Sequence, residues 1–182
     1  MKKFFIMVFI FLFFPLFVLL AAQAPDVILY DNKVFELFSN PLEPLYAKEG
    51  NRPYFREKAY NYLSKNNWRG YVAYWEIRED TLYLRGIEAW TGGSKYAKTS
   101  DCRRVDLKEL FGEKCREGRV KADWFSGELR IPDGNIIKYV NLDYDSIYER
   151  DIILVIESGK VTNKKIIDNT QSENPSQKET GK

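Results

Sequence analysis

Histidine is absent from the 182-residue sequence, and cysteine occurs only twice, at Cys102 and Cys115. Without histidine the chain cannot use Ser-His-Asp or Cys-His catalysis, nor zinc bound through histidine. Two cysteines are too few for a zinc or iron–sulfur site held by four thiolates. Asn141, Asp143 and Asp145 are spaced as the start of a calcium loop, but Ser146 and Ile152 stand where such a loop needs glycine and glutamate. A polar strand end is therefore favoured over the alternative of a calcium site, and we expect no metal ion and no cofactor. The remaining composition, 45% hydrophobic, 30% charged and 15% aromatic, is typical of one packed globular domain rather than a disordered chain.

The first segment of the chain has the organisation of an export signal. Lys2 and Lys3 precede an uncharged apolar run from Phe4 to Leu20, and small residues follow at 21, 22 and 24. We predict a cleaved signal peptide over residues 1–22. The alternative is an uncleaved membrane anchor, because about 20 apolar residues suffice to span a bilayer. In both cases the lysines stay on the cytoplasmic side. The folded part is therefore expected to be periplasmic or secreted, with the membrane contacted only through an uncleaved N-terminal segment.

Charge is balanced over the whole chain but not along it. The 28 basic and 26 acidic residues leave no basic excess once Lys2 and Lys3 are removed, so we expect no nucleic-acid partner. Residues 95–121 hold nine basic and five acidic residues, whereas residues 122–168 hold six and nine. Two solvated surfaces of opposite sign would explain this pattern. A basic face that binds anionic envelope polymers would explain it too.

Short segments of alternating hydrophobicity, separated by turn residues, predict strands over most of residues 26–168. Hairpin turns are expected at Asp31-Asn32, Glu79-Asp80, Pro132-Asp133-Gly134 and Ser158-Gly159. The fold class that follows is mainly β, a single antiparallel β-rich barrel or sandwich with one or two short helices. Residues 169–182 contain no hydrophobic side chain, so we predict a disordered polar tail there.

Two short helices and one loop complete the prediction. Asp106 has the features of an N-cap, because Glu109 follows three residues later and Gly112 can end the helix. A second short helix is expected over residues 55–66. The stretch 39–53 contains three prolines and is predicted to be a loop.

The clearest hairpin is predicted over residues 70–89. Its turn at Glu79-Asp80 makes one face apolar by pairing Ile77 with Leu82, Trp75 with Leu84 and Ala73 with Gly86. The opposite face carries Tyr74, Glu76, Tyr83 and Arg85. Because successive side chains alternate between faces, a slip of one residue would exchange the two faces. The pattern therefore specifies the register.

Cys102 and Cys115 lie on either side of the short helix at Asp106. In an oxidising compartment a pair of cysteines most simply forms a disulfide. The spacing differs from the C-x-x-C spacing of redox-active pairs, so a structural bridge is the favoured interpretation. A redox pair and two free thiols are the alternatives.

A pair of carboxylates is the acid–base device that the composition still permits. The candidates are Glu76, Glu88, Asp123, Glu128, Asp143 and Asp145. Glycoside hydrolysis needs two carboxylates at a set separation and groups that hold the sugar. A histidine-free hydrolase acting on envelope polysaccharide is therefore the alternative function. It requires two of these residues to share one cleft.

Two blocks of the sequence resemble a family of small uncharacterised bacterial proteins of unknown function. The first is Trp68-Arg69-Gly70-Tyr71-Val72-Ala73, continuing through Trp75-Glu76-Ile77; the second is Ala122-Asp123-Trp124-Phe125-Ser126-Gly127, continuing through Leu129-Arg130-Ile131-Pro132. The resemblance implies a bacterial source and one compact domain. It implies no activity, so no functional residue is carried over from that family.

We predict that the chain is an exported, non-catalytic binding domain whose partner is another protein or an envelope glycan. Tyrosine and tryptophan are enriched at interfaces, although they suit sheet packing equally. The candidate binding residues are Tyr74, Glu76, Tyr83 and Arg85 on the first hairpin, and Asp123, Trp124, Glu128 and Arg130 in the second block. A tryptophan such as Trp124 is found in a core more often than on a binding platform.

Overall fold

The computed structural model of the chain describes residues 24–49, 69–90, 102–141 and 144–173. The predicted signal segment 1–22, the helix expected over 55–66, Asp143 and the tail beyond residue 173 lie outside the described residues. Within the described ranges, no helix combines the length and the hydropathy that a membrane span needs.

Strands dominate the described part of the chain, and two short helices interrupt them. The elements are β1 (Asp26–Tyr30), β2 (Lys33–Leu37), α1 (Glu43–Glu49), β3 (Tyr71–Arg78), β4 (Thr81–Trp90), β5 (Cys102–Arg104), α2 (Leu107–Phe111), β6 (Cys115–Arg116), β7 (Arg119–Lys121), β8 (Gly127–Lys138), β9 (Ile147–Glu157) and β10 (Lys160–Asp168). Short 3-10 helices follow at Gly112–Lys114 and Thr170–Glu173.

The strands form one sheet in the order β2-β1-β3-β4-β10-β9-β8, with β5 and β7 added to β4, and β6 to β7. The contact between β4 and β10 is a single pair, Thr81 with Lys160. The sheet therefore divides into a first half-sheet (β2, β1, β3, β4) and a second half-sheet (β10, β9, β8). Beyond β2, the Phe38 N–H donates to the Arg130 carbonyl of β8 at 2.8 Å, but no strand ladder closes the sheet there.

This architecture confirms the mainly β class predicted from the sequence. The arrangement is sandwich-like, and the sheet is not closed into a barrel. The sheet is mixed, because β1 pairs with β3 in the parallel direction. The long connection from β2 through α1 to β3 makes this possible, since parallel neighbours cannot be joined by a tight turn.

One hydrophobic core joins the inner faces of the two half-sheets. Trp75 and Leu84 from the first half-sheet and Ile131 and Leu154 from the second are at most 1% exposed. Side chains of α1 and α2 extend this core, with Leu45, Tyr46 and Leu107 buried. Because one face of each strand is committed to the core, the opposite face of the first half-sheet is left for polar side chains.

Three of the four predicted tight turns are present. Both central residues have positive φ at Asp31-Asn32 and at Glu79-Asp80, as the two-residue turns of twisted hairpins require. Ser158-Gly159 joins β9 to β10 in the same way. A Cβ atom on Gly159 would lie 2.6 Å from the Ala122 carbonyl oxygen, so the close approach of this turn to the segment between β7 and β8 needs glycine here.

The predicted turn at Pro132-Asp133-Gly134 is wrong. These residues belong to the continuous strand β8, and the register with β9 shifts between Asp133 and Ile136. Gly134 therefore occupies a bulge rather than a hairpin turn. Pro132 is tolerated because β8 is an edge strand of the sheet. Two hydrogen bonds from Asn135 reach the Glu149 carboxylate across the bulge and lower the pKa of that group.

Helix prediction succeeded at one position and failed at another. The Asp106 carboxylate accepts hydrogen bonds from the Lys108 and Glu109 N–H groups, at 2.7 and 3.3 Å, and so caps α2 as predicted. The predicted loop over 39–53 instead contains α1. Pro44 lies in the first turn of that helix, where its missing N–H removes no hydrogen bond.

The chain remains structured for five residues beyond the predicted domain end at 168. The Asn169 side-chain amide donates to the Tyr148 carbonyl at 2.9 Å and to the Asp151 carboxylate at 3.1 Å. These hydrogen bonds hold Asn169, which has no hydrophobic side chain, against β9. The disordered tail predicted for 169–182 lies outside the described residues beyond Glu173 and stays a prediction.

A buried ion pair fixes the start of β1 against β3. The Asp26 carboxylate is fully buried and accepts from Arg69 Nη1 at 2.8 Å, Trp75 Nε1 at 3.0 Å and the Ala73 N–H at 3.1 Å. Burial raises the pKa of Asp26, and the Arg69 charge and the N–H donors act in the opposite direction. Burial, together with the neighbouring carboxylates, also raises the pKa of Tyr71, whose hydroxyl donates to Glu43.

Candidate binding site

A bulge in β4 shapes the outer face of the first hairpin. Near the turn the register is the predicted one, with Trp75 opposite Leu84. The register then shifts, so that Gly86 lies opposite Tyr74, and Ile87 takes the predicted place of Gly86 opposite Ala73. The predicted Ala73–Gly86 pair is therefore wrong, because Arg85 is an extra residue in β4.

The bulge places two consecutive residues on the outer face. Leu84 and Ile87 are both fully buried on the inner face. Strict alternation allows only one residue between two inward positions, so the two residues between them, Arg85 and Gly86, both face outward. A bulge commonly re-aims a side chain near a functional site, and here it presents the Arg85 guanidinium beside a position that has no side chain.

Tyr74, Glu76, Tyr83 and Arg85, predicted to share a face, are brought together by the structure. The Glu76 side chain is only 12% exposed and its carboxylate lies 3.1 Å from Arg119 Nε and 3.4 Å from Arg85 Nε. The Tyr74 hydroxyl donates to the Glu88 carboxylate at 2.8 Å. Glu76 thus acts as a counter-ion that orients two guanidinium groups on this face.

The β6–β7 hairpin adds further positive charge beside Tyr83. Its turn residues Glu117 and Gly118 both have positive φ, which places Arg116 directly opposite Arg119. Lys121, two residues after Arg119 on β7, lies opposite Tyr83 of β4. Like charges directly opposite each other are locally unfavourable in a sheet. Here Glu76 and Glu117, at 3.1 and 3.8 Å, offset the charge of Arg119.

These side chains line a cleft of about 470 Å³, which we call the basic cleft. Its lining residues are Arg78, Glu79, Tyr83, Lys114, Arg116, Glu117, Arg119, Lys121 and Asp123. Five of them are basic and three are acidic. Among the described residues, Lys114, Arg116 and Lys121 form no ion pair with any of the acidic residues. The cleft therefore offers positive charge that is available to a ligand.

Asp123 joins this cleft, but the three other candidates from the second block do not. The half-buried Trp124 donates through Nε1 to the Pro41 carbonyl at 2.9 Å and stacks on Phe111. Arg130 makes a two-pronged ion pair with Asp151 and donates to the Tyr144 and Ser146 carbonyls. Glu128 is exposed on β8. Trp124 and Arg130 hold the fold together in this arrangement.

The named carboxylates are scattered over the described part of the molecule. Glu88 and Asp123 line different clefts of the outer face, and Glu76 is held between two guanidinium groups. Glu128 lies on β8, and Asp145 follows that strand. Neither of these two clefts holds two of the described candidates, so neither supplies the pair of carboxylates that glycoside hydrolysis needs.

The structure does not bring the two cysteines together. Cys115 is half-buried and carries no disulfide. Cys102 lies opposite Trp90 of β4, whereas Cys115 pairs with Val120, which lies opposite Leu84. The two positions on β4, Leu84 and Trp90, are six residues apart, which corresponds to on the order of 20 Å along a strand. The Cα atoms of a disulfide lie only ~4.4–6.8 Å apart. This register does not support the predicted bridge.

Sequence reasoning missed the individual cations of the β6–β7 hairpin, although the basic excess of residues 95–121 pointed to them. The chain matches no known protein family, no curated protein and no solved structure. The class of the protein is therefore defined only by its fold and its site. It is a sandwich-like β domain with a basic cleft on the outer face of one half-sheet.

Proposed function

We propose that the chain is an exported, non-catalytic binding domain whose basic cleft holds an anionic glycan of the cell envelope. The observation that carries this proposal is the Arg116–Arg119 pair, in which two like charges lie directly opposite each other at the cleft. Arg119 is already paired with Glu76 and Glu117, whereas Arg116 forms no ion pair with an acidic residue of the described ranges. An anionic ligand would offset this repulsion, because its acidic groups would lie against both guanidinium groups.

The chemistry of the cleft suits a sugar polymer that carries carboxylate or sulfate groups. A guanidinium presents planar, paired N–H donors that match the oxygens of such groups. Tyr83 adds an aromatic side chain, half-buried, at the same place. Four of the five cations stand on strands, Lys114 ends a short 3-10 helix, and Glu76 restrains Arg119, so little conformational freedom is lost on binding.

Affinity would come from several contacts, because each cation is partly exposed and individual exposed ion pairs contribute only about 0–1 kcal/mol. A polymer that spans the cleft engages several cations at once. The predicted export of the chain would bring the cleft into the compartment that contains envelope polymers. An acidic protein surface is the other partner class predicted from the sequence, and the experiment below separates the two.

The test is binding of the purified chain to polysaccharides that differ only in charge, measured by isothermal titration calorimetry. Dextran, carboxymethyl dextran and dextran sulfate provide one backbone with three charge states. We expect no binding to dextran and binding to both anionic polymers. The variant that combines Arg116→Gln with Arg119→Gln should bind them at least tenfold more weakly.

A matched control keeps the same change in net charge. Lys138→Gln combined with Lys165→Gln removes two exposed cations from the second half-sheet, and this variant should bind like the wild type. An equal loss of affinity in both double variants would show that binding depends on the net charge of the protein rather than on the cleft. Absence of binding to every polymer, with capture of an acidic protein instead, would replace the glycan by a protein partner.

A further inference from the structure

A second depression lies on the outer face of the first half-sheet, beside the bulge in β4. Its volume is about 370 Å³. Val27 and Leu29 of β1 and Val34 of β2 form an apolar wall. Val34 is 71% exposed, which is a high exposure for an aliphatic side chain. Arg85, Glu88 and Arg104 form the polar rim.

Gly86 keeps this depression open. A Cβ atom at this position would lie 3.7 Å from Arg104 Nη2 and 3.9 Å from Tyr74 Cδ2. These are ordinary van der Waals distances, so a single carbon fits and a larger side chain would occupy the depression. The bulge at Arg85 turns Gly86 outward; with regular pairing, Gly86 would face the core, as the sequence had predicted.

The charged residues on the rim do not neutralise each other. Arg104 lies directly opposite Glu88 in the β4–β5 register, yet the two form no ion pair in the described structure. The Glu88 carboxylate accepts from the Tyr74 hydroxyl instead, and the Arg104 guanidinium extends to Gly86. Arg85 is held by Glu76 at 3.4 Å. Arg104 is thus the rim cation that pairs with no carboxylate of the described residues.

We propose that this depression binds a small carboxylic acid with an apolar tail. The carboxylate takes a charge-assisted pair of hydrogen bonds from Arg104, and the tail covers Val34 and packs on Val27 and Leu29 above Gly86. The volume of about 370 Å³ lies at the lower end of the range of ligand pockets, about 300–1,000 Å³, and therefore suits a small ligand. This site differs from the basic cleft, and the inference goes beyond the proposed function.

The probe is 4-phenylbutanoate, and its controls are 4-phenylbutanol, which is neutral, and 4-phenylbutylamine, which is cationic. Calorimetry on the full chain should show that the acid binds at least tenfold more tightly than either control. Its binding should also shift the backbone amide resonance of Gly86. Equal affinity for the three probes, tighter binding of the amine, or no binding of the acid would overturn the proposal.

Two variants locate the site. Arg104→Gln removes the charge at an exposed side chain and should weaken binding of the acid about tenfold, while binding of the alcohol stays the same. Gly86→Val should weaken binding of both by filling the depression. If Gly86→Val does not fold, Arg104→Gln still decides, since unchanged affinity for the acid in that variant contradicts the proposal.

The variant Arg116→Gln with Arg119→Gln distinguishes this site from the basic cleft. It should bind 4-phenylbutanoate as the wild type does, even though its affinity for dextran sulfate falls. Conversely, Arg104→Gln and Gly86→Val should retain most of the affinity for dextran sulfate. If the variant with Arg116→Gln and Arg119→Gln no longer bound 4-phenylbutanoate, this ligand would belong to the basic cleft, and the proposal of a separate site would be overturned.

Discussion

The Glu76 carboxylate accepts a hydrogen bond from Arg119 Nε at 3.1 Å, although the two residues are 43 positions apart in the sequence. Glu76 belongs to β3 and Arg119 to β7, and β4 lies between these two strands. The contact therefore crosses the outer face of β4 and joins the first hairpin to the β6–β7 hairpin. It links a residue predicted from the sequence to one that the sequence did not single out.

Replacement of Glu76 tests the role of this carboxylate as a counter-ion. Glu76→Gln should lower the free energy of unfolding by about 1 kcal/mol, because two charge-assisted contacts with half-exposed arginines are lost. The same change makes the cleft more positive and should raise the affinity for dextran sulfate about two- to fivefold at low salt. Urea unfolding and calorimetry measure the two effects. A fall in affinity would show that Glu76 matters by positioning Arg119 rather than by competing with the ligand.

The pH dependence of binding follows from the absence of histidine. The cations of the basic cleft are arginine and lysine, whose ordinary pKa values lie above about 10, and a sulfated polymer keeps its charge throughout this range. The affinity for dextran sulfate should therefore be constant between about pH 5.5 and 8.5. Calorimetry at several pH values checks this. A tenfold change across that range would show that a group other than the cleft cations controls binding.

The buried pair of Asp26 and Arg69 should dominate the stability of the first half-sheet. Asp26→Asn removes a carboxylate that is fully buried against the Arg69 guanidinium and should cost about 3–5 kcal/mol. Trp75→Phe removes one N–H donor to the same carboxylate and should cost less, about 1–3 kcal/mol. Urea unfolding of both variants gives the comparison. A cost below 1 kcal/mol for Asp26→Asn would show that the ion pair contributes little.

The state of the cysteines distinguishes the sequence prediction from the observed register. Cys102 on β5 and Cys115 on β6 lie beside positions of β4 that are six residues apart. This separation predicts two free thiols in the purified protein. Thiol titration of the unfolded chain, without prior reduction, should therefore give two equivalents. A titre near zero that rises to two after reduction would establish the disulfide and would require β5 and β6 to lie closer together than observed.

The hairpins could be predicted because their signals are local. Asp31-Asn32 and Glu79-Asp80 are polar residues between apolar alternating segments, and alternation near each turn determines the register. Alternation cannot reveal an extra residue, however, because a bulge at Arg85 leaves both neighbouring segments with a regular pattern. This error of one position placed Gly86 in the core, whereas in the structure Gly86 lies on the outer face. The depression that Gly86 opens was therefore missed.

Proline was misleading at two positions for related reasons. Pro44 and Pro132 were interpreted as breaks in regular structure, but each occupies a place where no hydrogen bond is lost. Pro44 lies in the first turn of α1, and Pro132 lies in an edge strand. Whether a strand is at an edge depends on the complete sheet order, which a single sequence does not give.

The candidate site was predicted in part for a similar reason. Tyr74, Glu76, Tyr83 and Arg85 share a face through local alternation, so they could be grouped from the sequence. Of these four, Tyr83 lines the basic cleft, and Tyr74 and Arg85 line the second depression. The position of the β6–β7 cations beside Tyr83 depends on the contact of β7 with β4, which is a tertiary arrangement. The basic excess over 95–121 was visible, but its position beside Tyr83 was not.

The salt dependence of polyanion binding tests the central claim most directly. Multiple ionic contacts release counter-ions, so the logarithm of the affinity for dextran sulfate should fall linearly with the logarithm of the salt concentration. The Arg116→Gln, Arg119→Gln variant should show a slope smaller by about 1–2, and the Lys138→Gln, Lys165→Gln variant should keep the wild-type slope. A slope near zero in the wild type, or an equal reduction in both variants, would contradict a basic cleft that binds an anionic polymer.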